Sequence, residues 1–194
     1  LPPKVAPIQV VVLHITTKNE DIIKASQTIY EKLKEKYRVK LDLRDQCTAG
    51  YKFNDWEMRG VPVRIEIGPR DLENNEVTLV RRDTLEKMSI SMNDLDKISE
   101  ILDDIQKNMF DVCLKRNSEK TSVATHMDEF KKVIEKNPGY VKAMWCGKDE
   151  CEEKIKELTG AKSRCIPFDE EHISDKCVCC GEKAKHMVVW GKQY

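Results

Sequence analysis

Five cysteines crowd the last quarter of this 194-residue chain, at spacings suited to holding a metal. Cys146-Gly-Lys-Asp-Glu-Cys151 is a C-x4-C turn, and after 25 intervening residues comes Cys177-Val-Cys179-Cys180-Gly181. Two such knuckles can supply the four thiolates that zinc takes in a closed, tetrahedral structural site. Gly147 and Gly181 give the backbone room to curl, so that its N–H groups can face the sulfurs. Five thiols compete for four places. The set Cys146, Cys151, Cys177 and Cys180 uses the usual C-x2-C knuckle and leaves Cys179 over; pairing Cys177 with Cys179 is also open geometrically. Either set fills every coordination position, which excludes catalysis by the metal. A thioredoxin-like redox role needs the motif after an early strand and at the start of a helix, and this position lacks that context.

A second candidate site lies in residues 50–71, where Tyr51, Phe53 and Trp56 interleave with charged residues around a glycine-bounded turn. Unpaired RNA bases are read by stacking on aromatic rings and by hydrogen bonds to their Watson–Crick edges. A guanine offers N1–H and N2–H donors that a carboxylate accepts, while its O6 and N7 suit a guanidinium. Glu57, Arg64, Arg70 and Asp71 are the right chemical types. Residue types alone favour the plainer reading, an amphipathic surface with a few buried rings. Cys113 and Cys165 sit in apolar stretches and read as small core residues. The four histidines are scattered, and none is assigned a function.

Both sites need elements to position them. Residues 8–15 are a nearly continuous β-branched run, as in a strand buried on both faces. A helical pattern over 19–37, with Ile22, Ile29 and Leu33 on one stripe, leads to a second strand at Val39–Leu43, predicting a parallel pair joined by a crossover. Residues 61–67 alternate, with Val63, Ile65 and Ile67 on one face and Arg64 and Glu66 on the other. Val77–Arg81 and Lys87–Ser91 follow as neighbouring strands. Asn93 is placed to cap a helix carrying Leu95, Ile98, Leu102, Ile105 and Met109. The polar stretch Lys115–Ser122 lacks periodicity and is read as a boundary, giving domains at 1–116 and 117–194. In the second, a helix at Met127–Ile134, a strand at Tyr140–Trp145, a short helix to Leu158 closed by Gly160, a strand at Ser163–Phe168 and a last strand at Ala184–Trp190 are expected. The fold class is therefore α/β, with a mixed five-stranded sheet flanked by helices, plus a small α+β zinc-binding domain.

Net charge is zero, from 34 basic and 34 acidic side chains, and the two predicted domains are each balanced. Bulk basicity does not advertise nucleic-acid binding, so any RNA contact must come from local geometry. No apolar run approaches the ~20 residues that span a bilayer, and the opening Leu1-Pro-Pro-Lys4 resembles no secretory signal. It reads as the start of an excised fragment. No phosphate-cradling glycine loop is present.

The string Gly50-Tyr-Lys-Phe-Asn-Asp-Trp-Glu57, followed by Gly60-Val-Pro-Val-Arg-Ile-Glu-Ile-Gly-Pro-Arg-Asp71, closely resembles the anticodon-binding domain of prolyl-tRNA synthetases of the archaeal and eukaryotic type. The resemblance covers essentially the whole chain. Leu1–Val11 resembles the family's exit from class II motif 3, the four cysteines its C-terminal zinc site, and Trp190–Tyr194 its terminus. It implies the class II anticodon-binding fold and places Phe53, Glu57, Arg64, Arg70 and Asp71 at the anticodon bases, two of which are guanines in tRNA for proline; Trp56 is assigned to packing. It further implies a structural zinc, and proline–tRNA ligase activity in the full protein, with Mg-ATP bound only by the missing catalytic domain. The Tyr194 carboxylate is expected to reach that domain, and the whole enzyme to be a cytoplasmic homodimer with no membrane contact. One departure is Leu85 in Arg82-Asp-Thr-Leu-Glu-Lys87, where the family pattern calls for glycine. Rival readings are a free-standing RNA-binding accessory module and a zinc-ribbon interaction domain.

Overall fold

The β-branched run near the N-terminus becomes an inner strand of a sheet. In the computed structural model, which describes residues 1–16 and 19–192, all five residues of β1 (Val10–His14) are buried. The chain divides into two units, Leu1–Val112 and Cys113–Tyr194. In the first, β1 is followed by α1 (Glu20–Lys34), β2 (Val39–Asp42), α2 (Ala49–Met58), β3 (Val63–Ile67), α3 (Pro69–Glu73), β4 (Glu76–Arg81), β5 (Lys87–Ser91) and α4 (Lys97–Glu119), whose last turns belong to the second unit. The strand order is β2-β1-β3-β4-β5, with β1 parallel to both β2 and β3 and the β3-β4-β5 steps antiparallel. This is the expected mixed five-stranded sheet. Asn19 starts α1 by accepting from the Asp21 N–H at 2.9 Å, with Glu20 and Asp21 placed favourably in the first turn.

Strand alternation separates two faces. Val10, Val12, Val63, Ile65 and Ile67 pack against Ile22, Ile29 and Leu33 of α1 and Ile98, Leu102 and Ile105 of α4. On the opposite face Val11 and Leu13 meet Trp56 and Val61, so α2 covers that side. A buried carboxylate fastens α2 down. Asp42 accepts from Trp56 Nε1 at 2.7 Å and from Arg44 Nε and Nη2 at 2.9 and 2.7 Å, and Arg44 also pairs with Asp55 of α2 at 2.8 Å.

The second unit runs β6 (Thr121–Val123), α5 (Met127–Lys136), β7 (Tyr140–Trp145), α6 (Asp149–Thr159), β8 (Ala161–Cys165) and β9 (His186–Lys192), with sheet order β6-β7-β9-β8. Its core gathers Phe130, Ile134, Val141, Ile155, Val188 and Trp190, and Phe130 meets Trp190 edge-on with ring centroids 6.2 Å apart.

Several expectations are corrected. The stretch Lys115–Ser122, read as polar and without periodicity, is the end of α4 followed by β6; apolar periodicity fades there because that part of the helix buries no core stripe, while the Lys115–Glu119 pair still spans one turn. Asn93 does not cap α4, which begins at Lys97 after tight turns such as Lys97 N–H to Asp94 O. The strand expected over Ser163–Phe168 ends at Cys165, and Phe168 is fully exposed. Cys113 and Cys165, read as core, are exposed, because their apolar neighbours Val112, Leu114 and Ile166 are exposed as well. The Tyr194 carboxylate lies outside the described residues. Among the described residues, no helix is long and apolar enough to cross a membrane.

Leu85 sits where the β4–β5 loop needs a left-handed residue, at φ 61°. The turn closes normally, with the Leu85 N–H on Arg81 O and the Arg81 N–H on Glu86 O, both 3.0 Å. A side chain in this conformation costs roughly 1–2 kcal/mol, and glycine returns part of that as backbone entropy. Because Leu85 is more than half exposed, Leu85→Gly forfeits little burial and should stabilise the first unit by about 0.5–1 kcal/mol. A melting temperature equal to or below the parent's would refute this.

Burial alone would raise the Asp42 carboxyl, but its bonds to Arg44 and Trp56 hold it at about 2. A folded value below the unfolded one adds stability that is present above pH ~4 and lost as pH falls towards 2. Asp42→Asn should therefore lower stability at pH 6 by about 2 kcal/mol and flatten the acid limb of thermal melts between pH 4 and 2.

Candidate metal centre and candidate nucleic-acid interface

The two knuckles come together from β7, the start of α6 and the loop before β9. The sulfurs of Cys146, Cys151, Cys177 and Cys180 all lie within 4.8 Å of one another; Cys146 stands 3.6 Å from Cys151 and 3.8 Å from Cys180. Tetrahedral thiolates about 2.3 Å from a zinc ion stand roughly 3.8 Å apart, so this donor set fits the metal. Cys179, two residues from Cys177, is outside this set and packs both against the cluster and beside the core of the second unit. Gly147 and Gly181 adopt φ 85° and 73°, the left-handed turns expected of each knuckle. Burial pushes the Cys146 and Cys151 thiols up from their ordinary range. Burial also acts on Cys177, but the backbone N–H groups of Cys180, Cys179 and Cys146 overcome it and hold that thiol below its ordinary value. A metal here would have to displace protons from buried thiols while finding N–H donors already aimed at the resulting charge.

The second site forms on the face of the first sheet that α2 partly covers. Phe53 and Glu57 lie four residues apart and so share one side of the helix. Alternation along β3 turns Arg64 and Glu66 towards them, both buried. Arg64 Nη1 donates to Glu57 Oε1 at 2.7 Å and its Nε to Glu66 Oε1 at 2.8 Å, while the Phe53 ring centroid lies 4.3 Å from the guanidinium carbon. Strand register brings in Lys87: Arg64 faces Val80 on β4, which faces Lys87 on β5. Its Nζ is 3.6 Å from Glu66 Oε2 and 6.0 Å from the Phe53 centroid. Arg82 Nε reaches the Glu57 carbonyl at 3.5 Å. Among the described residues, Arg64 Nη2 and Glu57 Oε2 make no hydrogen bond within the chain, so the pair keeps one donor nitrogen and one acceptor oxygen open.

Phe53, Glu57 and Arg64 are thus brought together, with Phe53 laid on the guanidinium. Arg70 and Asp71 stand past the far end of β3, on α3. Arg70 is exposed and has no ion pair among the described residues. Asp71 is engaged: its Oδ2 accepts from the Gly68 N–H at 2.8 Å and its Oδ1 from the Thr78 hydroxyl at 2.9 Å. Trp56 is buried packing that donates to Asp42. Sequence reasoning assigned no role to Glu66 or Lys87. The alternation of residues 63–67 carried the signal for Glu66, whereas Lys87 becomes visible only once the β3-β4-β5 register is known.

Residues 9–102 match the family model described as "Anticodon binding domain", and residues 127–194 that described as "Prolyl-tRNA synthetase, C-terminal". The chain is 49% identical over 195 residues to the proline–tRNA ligase of Clostridium novyi (strain NT) and 50% identical over 196 residues to proline–tRNA ligase 2 of Clostridioides difficile (strain 630), in both cases across 100% of this chain and 41% of the relative. A crystal structure of prolyl-tRNA synthetase from Cryptosporidium parvum complexed with L-proline and AMP superposes with a TM-score of 0.90 at 36% identity, covering 100% of this chain and 42% of that one. The chain therefore spans about two-fifths of the length of the curated relatives it matches.

Replacing one member of the cysteine cluster should abolish metal retention, and replacing the spare thiol should not. Purified parent chain and Cys179→Ser are expected to hold about one zinc each, while Cys180→Ser holds far less and melts at lower temperature. Equal zinc in the two variants by elemental analysis would contradict the assignment.

Proposed function

We propose a function on the premise that the chain belongs to the prolyl-tRNA synthetase family, whose anticodon-binding and C-terminal domain models it matches in turn. The first unit reads the two guanines of the proline anticodon. The observation that carries this reading is the Glu57–Arg64 pair, held 2.7 Å apart with an acceptor and a donor left over. A guanine edge needs that combination: a carboxylate for N1–H and N2–H beside a guanidinium for O6. Phe53 completes the set with a ring beside the pair, and an exposed Arg70 is available for the second guanine. The two bonds that Asp71 already makes mean that it would also order α3, whatever base it touches.

Zinc on Cys146, Cys151, Cys177 and Cys180 would brace the second unit, with no position left for substrate. Within the whole protein, activation of proline with Mg-ATP and charging of the tRNA belong to the portion of the relatives' length that this chain does not span. That protein is proposed to be a cytoplasmic homodimer. Alone, the chain is expected to bind the anticodon stem-loop and to leave proline-dependent pyrophosphate exchange undetectable.

The test is fluorescence anisotropy with a proline anticodon stem-loop at fixed ionic strength. A guanine-to-adenine change at the base read by Glu57 and Arg64 should weaken binding about tenfold or more, and Glu57→Ala should remove that discrimination. Equal affinity of the parent chain for guanine and adenine at both positions would sink the reading.

A further inference from the structure

Resting on the proposed guanine reading, we infer that Glu66 is a positioning residue for anticodon recognition: it holds the Arg64 guanidinium in the one orientation that leaves the Glu57 carboxylate open to a base. An arginine guanidinium has two paired edges, Nε/Nη2 and Nη1/Nη2, and a carboxylate engages either one best through two parallel N–H···O bonds. Glu57 and Arg64, left to themselves, would close into such a bidentate pair and use up both the donor and the acceptor that a guanine needs. The observed arrangement is different. Glu57 takes a single bond from Nη1, while Glu66 Oε1 holds Nε at 2.8 Å and so fixes how the guanidinium is turned. Rotation about the guanidinium is blocked at two further points, by the Phe53 ring on its face and by the burial of Arg64 itself.

Glu66 is itself fixed. It is 3% exposed on the middle strand, between Leu13 of β1 and Thr78 of β4, and its second oxygen looks towards Lys87 Nζ at 3.6 Å. Two carboxylates, Glu57 and Glu66, share the Arg64 guanidinium, with the Lys87 ammonium and the Arg82 guanidinium beside them. Glu66 is therefore held by its neighbours and out of reach of solvent, as suits a residue that acts through Arg64 rather than on the base.

The experiment compares the parent chain with Glu66→Gln and Glu66→Leu, both near-isosteric, on stem-loops carrying guanine, inosine or 2-aminopurine at each of the two guanine positions in turn. Inosine keeps O6 and N1–H and lacks the N2 amino group; 2-aminopurine keeps the amino group and lacks both O6 and the N1 proton. Glu66→Gln should weaken binding to guanine and inosine roughly tenfold at one position, the scale of a misdirected base contact, and change binding to 2-aminopurine there by less than twofold. In an Arg64→Ala background the Glu66 changes should add nothing further. Parent-like melting of Glu66→Gln separates this from loss of fold, and Glu66→Leu should give the same base-selective pattern. A uniform loss across all three bases, or no loss, overturns the positioning role while leaving guanine reading intact. Failure of the parent chain to prefer guanine overturns both.

Discussion

Arg64 cannot shed its charge, and the fold has placed it where water cannot fully solvate it. A guanidinium stays protonated at any pH the protein meets, so burying it obliges the neighbourhood to supply carboxylates and a ring. That obligation explains why Glu57, Glu66 and Phe53 come from two different elements to meet at one point. It also explains why α2 must be held so firmly. Asp42 secures the helix through Trp56 and Arg44, and a slip of one turn would move Phe53 and Glu57 away from the cation they serve. The polar face is a consequence of packing as much as of recognition.

The second unit meets its constraint differently. Its core is small, built around Phe130 and Trp190, and four cysteines at its edge, three of them buried, have no apolar reason to gather. Left protonated they would be poor packing and weak hydrogen-bond partners. Held on a metal, they tie β7, α6 and the segment before β9 into one corner, which is how small domains make up for limited apolar burial.

Much of this was legible in the chain itself. The β-branched run of β1, the alternation of β3 and the leucine and isoleucine steps of α1 and α4 each encode a burial pattern that only one element type satisfies. The cysteine knuckles were equally clear, because spacing and glycine placement are local. What sequence could not give was non-local or energetically neutral. The last turns of α4 bury no stripe, so nothing marked them as helical. Cys113 and Cys165 sit among apolar letters that the fold leaves outside. Lys87 joins the polar cluster only through strand register. Family resemblance flagged the unusual residue at position 85, and the structure explains it: the loop keeps its left-handed turn and carries the strain of a leucine there.

The cysteine cluster also changes how the molecule behaves as a colloid. Counted from its sequence, the chain is neutral with an isoelectric point near 7.0. Four thiolates around one divalent cation leave two uncompensated negative charges in the second unit. A chain loaded with such a metal would thus be an anion at neutral pH, migrating towards the anode and focusing below its calculated point. The same excess charge discourages self-association at the pH where an uncharged protein would be least soluble.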